Sequence, residues 1–154
     1  MRIFPISDIM KFVCKRVENA CELEEAYLVR EQVFVNEQNV PKELERDEFD
    51  DAAYHVICKA DGSVVAAGRI LFFEEEAVVS RVAVLRSWRN KGIGKKITEF
   101  IMDTAKCNGV KTLTANVQVD VQDFYEKLGF RPVGELFLEA GIAHVKMVCD
   151  LRDR

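Results

Sequence analysis

The stretch Val82 to Lys96, VAVLRSWRNKGIGKK, constrains the fold more than any other part of this 154-residue chain. An apolar, β-branched run ends near Leu85, and a short loop leads to Gly92-Ile93-Gly94. From there Ile93, Ile97, Phe100, Ile101 and Ala105 recur at helical spacing until Asn108-Gly109, where glycine favours a helix stop. A buried strand feeding a one-sided helix requires a sheet for that helix to lie against.

The flanking segments supply the sheet. Lys11 to Val17 reads as a first strand, followed by a helix marked by Leu23, Tyr27, Arg30 and Phe34 that fades near Asn36. Glu43 to Asp51 is acidic and reads as a loop or short irregular helix. Tyr54 to Ala60 and Ser63 to Phe73 flank Asp61-Gly62, a dipeptide that accepts the positive φ angles of a tight hairpin. Ala77 to Leu85 forms the next strand. Strict alternation would place Val78, Val82 and Val84 on one face and Val79, Arg81 and Ala83 on the other. Val110 to Val117 is a strand, and Val121 to Leu128 a short helix stopped at Gly129. Pro132 to Leu138 and Ile142 to Cys149 close the chain around Ala140-Gly141. This order predicts an α/β (mixed α+β) domain: a central mixed sheet with helices on both faces, spanning residues 1–154 without an internal boundary.

Composition excludes several classes. At 49% hydrophobic residues the chain is too apolar for disorder, and no apolar run reaches the ~18 residues of a membrane span. With 22 basic against 26 acidic residues it carries a formal charge of -4, which disfavours general nucleic-acid binding. Five dispersed cysteines with no Cys-x-x-Cys pair predict neither a disulfide framework nor a zinc site, and suit a reducing cytoplasm. The thiols read as packing residues. Met1 to Val13 carries Asp8 and lacks a long apolar core, so no secretory signal is expected there.

Arg86, Arg89, Lys91, Lys95 and Lys96 cluster around the twin glycines with no acid among them. Free N–H groups at a helix start, with glycines that let a ligand approach, suit a small polyanion such as a pyrophosphate. A tight turn beside a solvated lysine face has the same pattern. Walker A spacing is absent, and a dinucleotide fingerprint would need a glycine where Ile97 stands.

Arg89-Asn90-Lys91-Gly92-Ile93-Gly94 resembles the Arg/Gln-x-x-Gly-x-Gly/Ala signature of the GNAT superfamily of N-acetyltransferases. Asn116 and Phe124-Tyr125-Glu126-Lys127-Leu128-Gly129-Phe130 resemble that family's asparagine and its following helix. Arg30 to Gln38, Asp50, Ala53 and His55, and the run Gly134 to His144, are similar to the small bacterial ElaA-like subgroup. The resemblance implies the GNAT acyl-CoA N-acyltransferase fold, with a mostly antiparallel sheet, and acetyl-CoA as acyl donor without a metal. It implies a splayed strand pair in which Val82, Ala83 and Val84 meet the pantetheine arm. Arg89, Asn90, Lys91, Gly92, Ile93, Gly94 and Lys95 would surround the pyrophosphate, and Asn116, Phe124 and Tyr125 would line the thioester end.

Direct transfer to a primary amine needs a neutral nucleophile. For an amine of pKa about 10.4, about one molecule in a few thousand is neutral at pH 7, a selection costing about 4.6 kcal/mol. Tyr125 is the candidate proton donor to the departing thiolate. Glu37, His55 and His144 are base candidates, with Glu37 placed first, and Phe34, Arg81 and His144 are candidate acceptor contacts. The acidic run from Glu43 to Asp51 reads either as a solvated loop or as an attractor for a cationic amine. Its faint likeness to acyl-homoserine-lactone synthases gives one alternative function, and a non-catalytic acyl-CoA-binding module gives another. The expected partner is a small-molecule or peptide amine, with neither nucleic acid nor membrane. Paired subunits are common in families of this type.

Overall fold

Asp61 and Gly62 adopt φ of +51° and +81°, the paired left-handed geometry that closes a two-residue hairpin. They join β2 (Tyr54–Ala60) to β3 (Ser63–Phe73). Ala140 and Gly141, at +51° and +77°, do the same for β6 (Arg131–Glu139) and β7 (Ile142–Asp150). With β1 (Phe12–Arg16), β4 (Glu76–Val84) and β5 (Thr112–Gln118) they form one seven-stranded sheet, ordered β1-β2-β3-β4-β5-β7-β6. Every neighbouring pair is antiparallel except β4 and β5, which run parallel. The computed structural model describes residues 11–154, so most of the segment read as lacking a secretory signal lies outside the described residues. Among the described residues no helix is long and apolar enough to cross a membrane.

Helices cover both faces. On the back, α3 (Ile93–Cys107) buries Ile93, Ile97, Ile101, Met102 and Ala105 against Val56, Val65, Ile70, Ala77 and Val79. Gly68 of β3 lies under this helix, where an added Cβ would come within 2.9 Å of Ile101 Cδ1. The short α4 (Gln122–Lys127) joins the same core through Tyr125. Both helices end in a Schellman stop. Phe130 N–H donates to Tyr125 O and Gly129 N–H to Glu126 O, as Val110 and Gly109 do to Ala105 and Lys106. On the front, α1 (Ala20–Arg30) packs Ala26 and Val29 against Ile57, Val64, Ala67 and Ala83. Its N-terminus is capped by Asn19, whose side chain accepts from Glu22 N–H.

Several sequence expectations change in detail. The helix after β1 does end near Asn36, but its last stretch, Glu31–Glu37, is a π-helical turn and not α-helix, with Val33 buried and Phe34 beside it. Strict alternation in β4 fails at Arg81, whose φ is +57°. There one β3 residue, Gly68, faces two β4 residues, Arg81 and Val82, a bulge that inverts the strand's faces. Val82 and Val84 consequently pack toward α3 with Val79, whereas Ala83 joins the α1 cluster. The acidic run is neither a solvated loop nor a free negative patch. It takes the short irregular helical form the sequence allowed, α2 (Lys42–Glu45) and a 3-10 turn (Glu48–Asp51), and it buries Glu45 and Asp50. Finally, not all thiols pack: Cys58 and Cys149 are buried and Cys14 half-buried, but Cys21 and Cys107 are exposed.

Candidate active site

The β4 and β5 strands pair only from Glu76–Val79 to Thr112–Ala115. Beyond that point β4 runs on to Val84 and β5 to Gln118 as unpaired neighbours, and the gap between them belongs to a cavity of about 1000 Å³. The inward edge of β4 follows from its other bonds. Leu85 N–H turns toward β3, donating to Val65 O at 2.9 Å, while Val84 O accepts from Arg89 Nε on the opposite side. Alternation within the strand gives the Val82 main chain the same outlook as Val84, into the gap.

The N-terminus of α3 opens onto this gap. Gly92 is its N-cap residue at φ +83°, and no side chain caps the helix. Unsatisfied N–H groups and the helix dipole thus face the space lined by Asn90, Gly92, Gly94 and Lys95. A Cβ at Gly94 would sit 3.6 Å from Phe124 Cζ and 3.8 Å from Val84 Cγ2. The bare glycine therefore leaves open the passage between these two side chains. Ile93 points away and is buried beneath the helix, and Lys91 lies outside the cavity lining.

Arg89 lines the cavity with its charge already matched. Its Nη2 lies 3.0 and 2.9 Å from the two Glu37 carboxylate oxygens, and its Nε binds Val84 O at 2.9 Å. Glu37 is held at the end of the π-helical turn by this pair and does not line the cavity. Next to it, Gln38 and Gln118 exchange amide hydrogen bonds of 2.8 and 3.4 Å. The π-helical turn is thereby tied to the loop after β4 and to the tip of β5.

On the other side of the gap, Asn116 projects from β5, and α4 contributes Phe124 and Tyr125. The Tyr125 ring meets Phe124 and Phe130 edge-on, with centroids 5.4 and 5.3 Å apart. Tyr125 lines the cavity, and burial pushes the pKa of its hydroxyl up to about 12. The group stays protonated at any ordinary pH.

The front wall carries the remaining candidates. His144, on β7 opposite Gln118, is buried and stacked on Phe137, with centroids 5.8 Å apart. Its Nδ1 is 2.7 Å from Ile142 O, so this nitrogen carries the proton and donates it to the carbonyl. The other ring nitrogen, Nε2, lies 3.4 Å from Glu139 Oε2, and both residues line the cavity. His55 is instead structural: Nε2 donates to Asp50 O at 2.8 Å and the ring packs edge-on against Tyr27.

Phe34 and Arg81 both line the cavity, and Arg81 belongs to a buried ionic network. Arg30 bonds Glu45 at 2.6 Å and Asp50 at 2.7 Å, and Arg69 bonds Asp47 at 2.7 Å and Asp50 at 2.8 Å. Arg81 bonds Asp47 at 3.2 Å and the main chain of Glu45 at 3.0 Å. Burial alone would raise the Asp50 carboxyl, but hydrogen bonds from Arg30, the Asp47 N–H and Arg69 hold it well below the usual range. Arg69 chiefly holds Asp47 low as well. Burial, with the like charges of Arg69 and Arg30, lowers Arg81.

One cavity therefore collects Phe34, Arg81, Val82, Ala83, Val84, Arg89, Asn90, Gly92, Gly94, Lys95, Asn116, Phe124, Tyr125 and His144, leaving out Glu37, Lys91 and Ile93. Sequence reasoning missed Gln38, Arg69, Gln118 and Glu139 there. Only Glu139 carried a usable signal, immediately before the β6–β7 turn and five residues before His144.

A family model for the acetyltransferase (GNAT) domain matches residues 17–151. The uncharacterized N-acetyltransferase YjcF of Bacillus subtilis is 37% identical over 134 residues, covering 86% of this chain and 96% of that protein. The crystal structure of Escherichia coli ElaA superposes with a TM-score of 0.80 at 26% identity, over 92% of this chain and 99% of that one. An acyl-CoA N-acyltransferase from Pseudomonas aeruginosa gives a TM-score of 0.80 at 28% identity, over 91% and 99% of the two chains. The splayed strands, the glycine-opened helix and these likenesses agree: the chain belongs to the GNAT acetyltransferase family and is an acyltransferase of the ElaA-like kind.

Proposed function

We propose that the protein transfers an acetyl group from acetyl-CoA directly to a primary amine. The observation that carries this reading is the unpaired end of the β4–β5 pair, which opens beside an uncapped helix N-terminus. These residues suit an acyl-CoA. The N–H groups at the start of α3 and the charge of Lys95 would hold a diphosphate. The Val82 and Val84 main chains would pair with the amide-bearing arm, and the missing side chain at Gly94 leaves room between Val84 and Phe124. Asn116 would meet the acyl end.

His144 is the proposed base in place of Glu37. The Ile142 carbonyl fixes its tautomer and leaves Nε2 without the proton, whereas Glu37 is committed to Arg89. In the proposed reaction an N–C bond forms and the C–S bond breaks. His144 Nε2 takes the proton released from nitrogen, and the Tyr125 hydroxyl donates toward sulfur. The amide and a thiolate are released with no acyl-enzyme, and the thiolate takes a proton from solvent as His144 gives up its own. The acidic run offers no support for a homoserine-lactone-synthase activity, since Asp47 and Asp50 are held by Arg69 and Arg30.

The test is incubation with acetyl-CoA and an amine library while free thiol is followed, repeated with His144→Gln. Amine-dependent thiol release that falls about 10²- to 10⁴-fold in the variant, with coenzyme A binding retained, is the expected result. No amine outpacing background hydrolysis would sink the reading.

A further inference from the structure

We infer that the acceptor is a primary amine carried on an apolar body, such as an arylalkyl amine, rather than a polyamine or an amino sugar. The inference rests on the acetyl-transfer reading and concerns the front lobe of the same cavity, which no donor group is needed to fill.

That lobe is built from Phe34 of the π-helical turn, Val40, Leu44 of α2, Phe49 of the 3-10 turn, and the cross-strand pair Leu71 and Val78. Leu44 and Phe49 remain 55% and 47% exposed. Large apolar side chains left open at the rim of a cavity mark a surface awaiting an apolar ligand.

Charge points the same way. A second ammonium group needs a free carboxylate, and the two carboxylates lining this lobe, Glu45 and Asp47, are engaged by Arg30, Arg69 and Arg81. With Asp50 they form a network of three positive and three negative groups, so the lobe has no net attraction for a polycation. Glu139 and Asp120 also line the cavity, but on its far side, around His144 and the tip of β5. The sheet order places β5 between that side and β4. One ammonium is drawn to the His144 end, and the rest of the acceptor meets hydrocarbon.

The test compares phenethylamine with 1,4-diaminobutane in two measurements on the full chain: kcat/KM with acetyl-CoA, and calorimetric binding to the protein saturated with coenzyme A. Phenethylamine should lead by at least about tenfold in both. Phe49→Asp should erase or reverse that lead, and Leu44→Asp gives a second variant at another exposed site. A diamine that binds or reacts as well as phenethylamine, or the failure of both amines to bind, overturns the inference. If phenethylamine binds preferentially but no thiol is released from acetyl-CoA, the acetyl-transfer reading fails while the assignment of the lobe stands.

Discussion

Replacing Tyr125 with phenylalanine removes one oxygen and leaves the ring between Phe124 and Phe130. The size of the effect follows from the state of that hydroxyl. Burial raises its pKa to about 12, against about 8.5 for an alkyl thiol such as the one released. Complete proton transfer from Tyr125 to the thiolate would thus run about 3.5 units uphill, or about 4.8 kcal/mol at 1.36 kcal/mol per unit. The hydroxyl is better suited to donating a hydrogen bond to the charge developing on sulfur than to surrendering its proton. A hydrogen bond to a charged group contributes about 1.5–3 kcal/mol, so Tyr125→Phe should lower kcat about 10- to 150-fold, with coenzyme A affinity little changed. The assay is steady-state thiol release at saturating amine, beside calorimetric binding of coenzyme A. A loss under threefold would remove Tyr125 from the chemistry. A loss beyond about 10⁴-fold would mean that the proton is fully transferred and that the hydrogen-bond argument is wrong.

Glu37→Gln should act through the donor KM, shifting it about two- to tenfold because Arg89 loses its partner, while kcat stays within about threefold. A fall in kcat of more than 10²-fold would return Glu37 to the role of base. Gly94→Ala should leave the fold as stable or up to about 1 kcal/mol more stable in thermal melts, since its Cβ makes only ordinary contacts and alanine favours helix. The same change should raise the donor KM about tenfold by filling the passage between Val84 and Phe124, and an unaltered KM would refute that geometry. Asp47 and Asp50 lie below their ordinary value of 3.8 when folded, so the folded state releases their protons more readily than the unfolded chain. Their stabilisation is complete above about pH 4 and is lost as pH falls through the folded values. Urea unfolding should accordingly give a flat stability from pH 6 to 5 and a decline below 4. Asp50→Asn should cost about 3–5 kcal/mol at pH 7 by stranding buried arginines; a cost under 1 kcal/mol would contradict the network.

What the sequence revealed depended on whether the signal was local. Asp61-Gly62, Ala140-Gly141, Asn108-Gly109 and Gly129 each mark a turn or stop because a positive φ favours particular residues, and the structure honours all four. The stripe from Ile93 to Ala105 was equally legible, as was the glycine-opened helix that defines the donor side. The bulge at Arg81 was not, because no residue type announces an extra residue opposite Gly68, and the alternation of valines argued for an unbroken strand. Nor was the ionic network. Glu45, Asp47 and Asp50 look like a charge run along the chain, and their partners Arg69 and Arg81 come from two strands that only the folded sheet brings near. The commitment of Glu37 to Arg89 spans 52 positions and is invisible to spacing for the same reason.

The surplus residue at Arg81 makes the opening beside β4 a matter of chain length. Exchanging Val82 or Val84 for another side chain would reshape the groove's walls, yet the backbone would still hold one residue more than β3 opposite it. Only excision could restore the rhythm: Val82 would then face Gly68 alone and, with Val84, would still point toward the α3 core. Engineers seeking a new acceptor can therefore work at Leu44 and Phe49, away from β4, and leave the count at Arg81 intact.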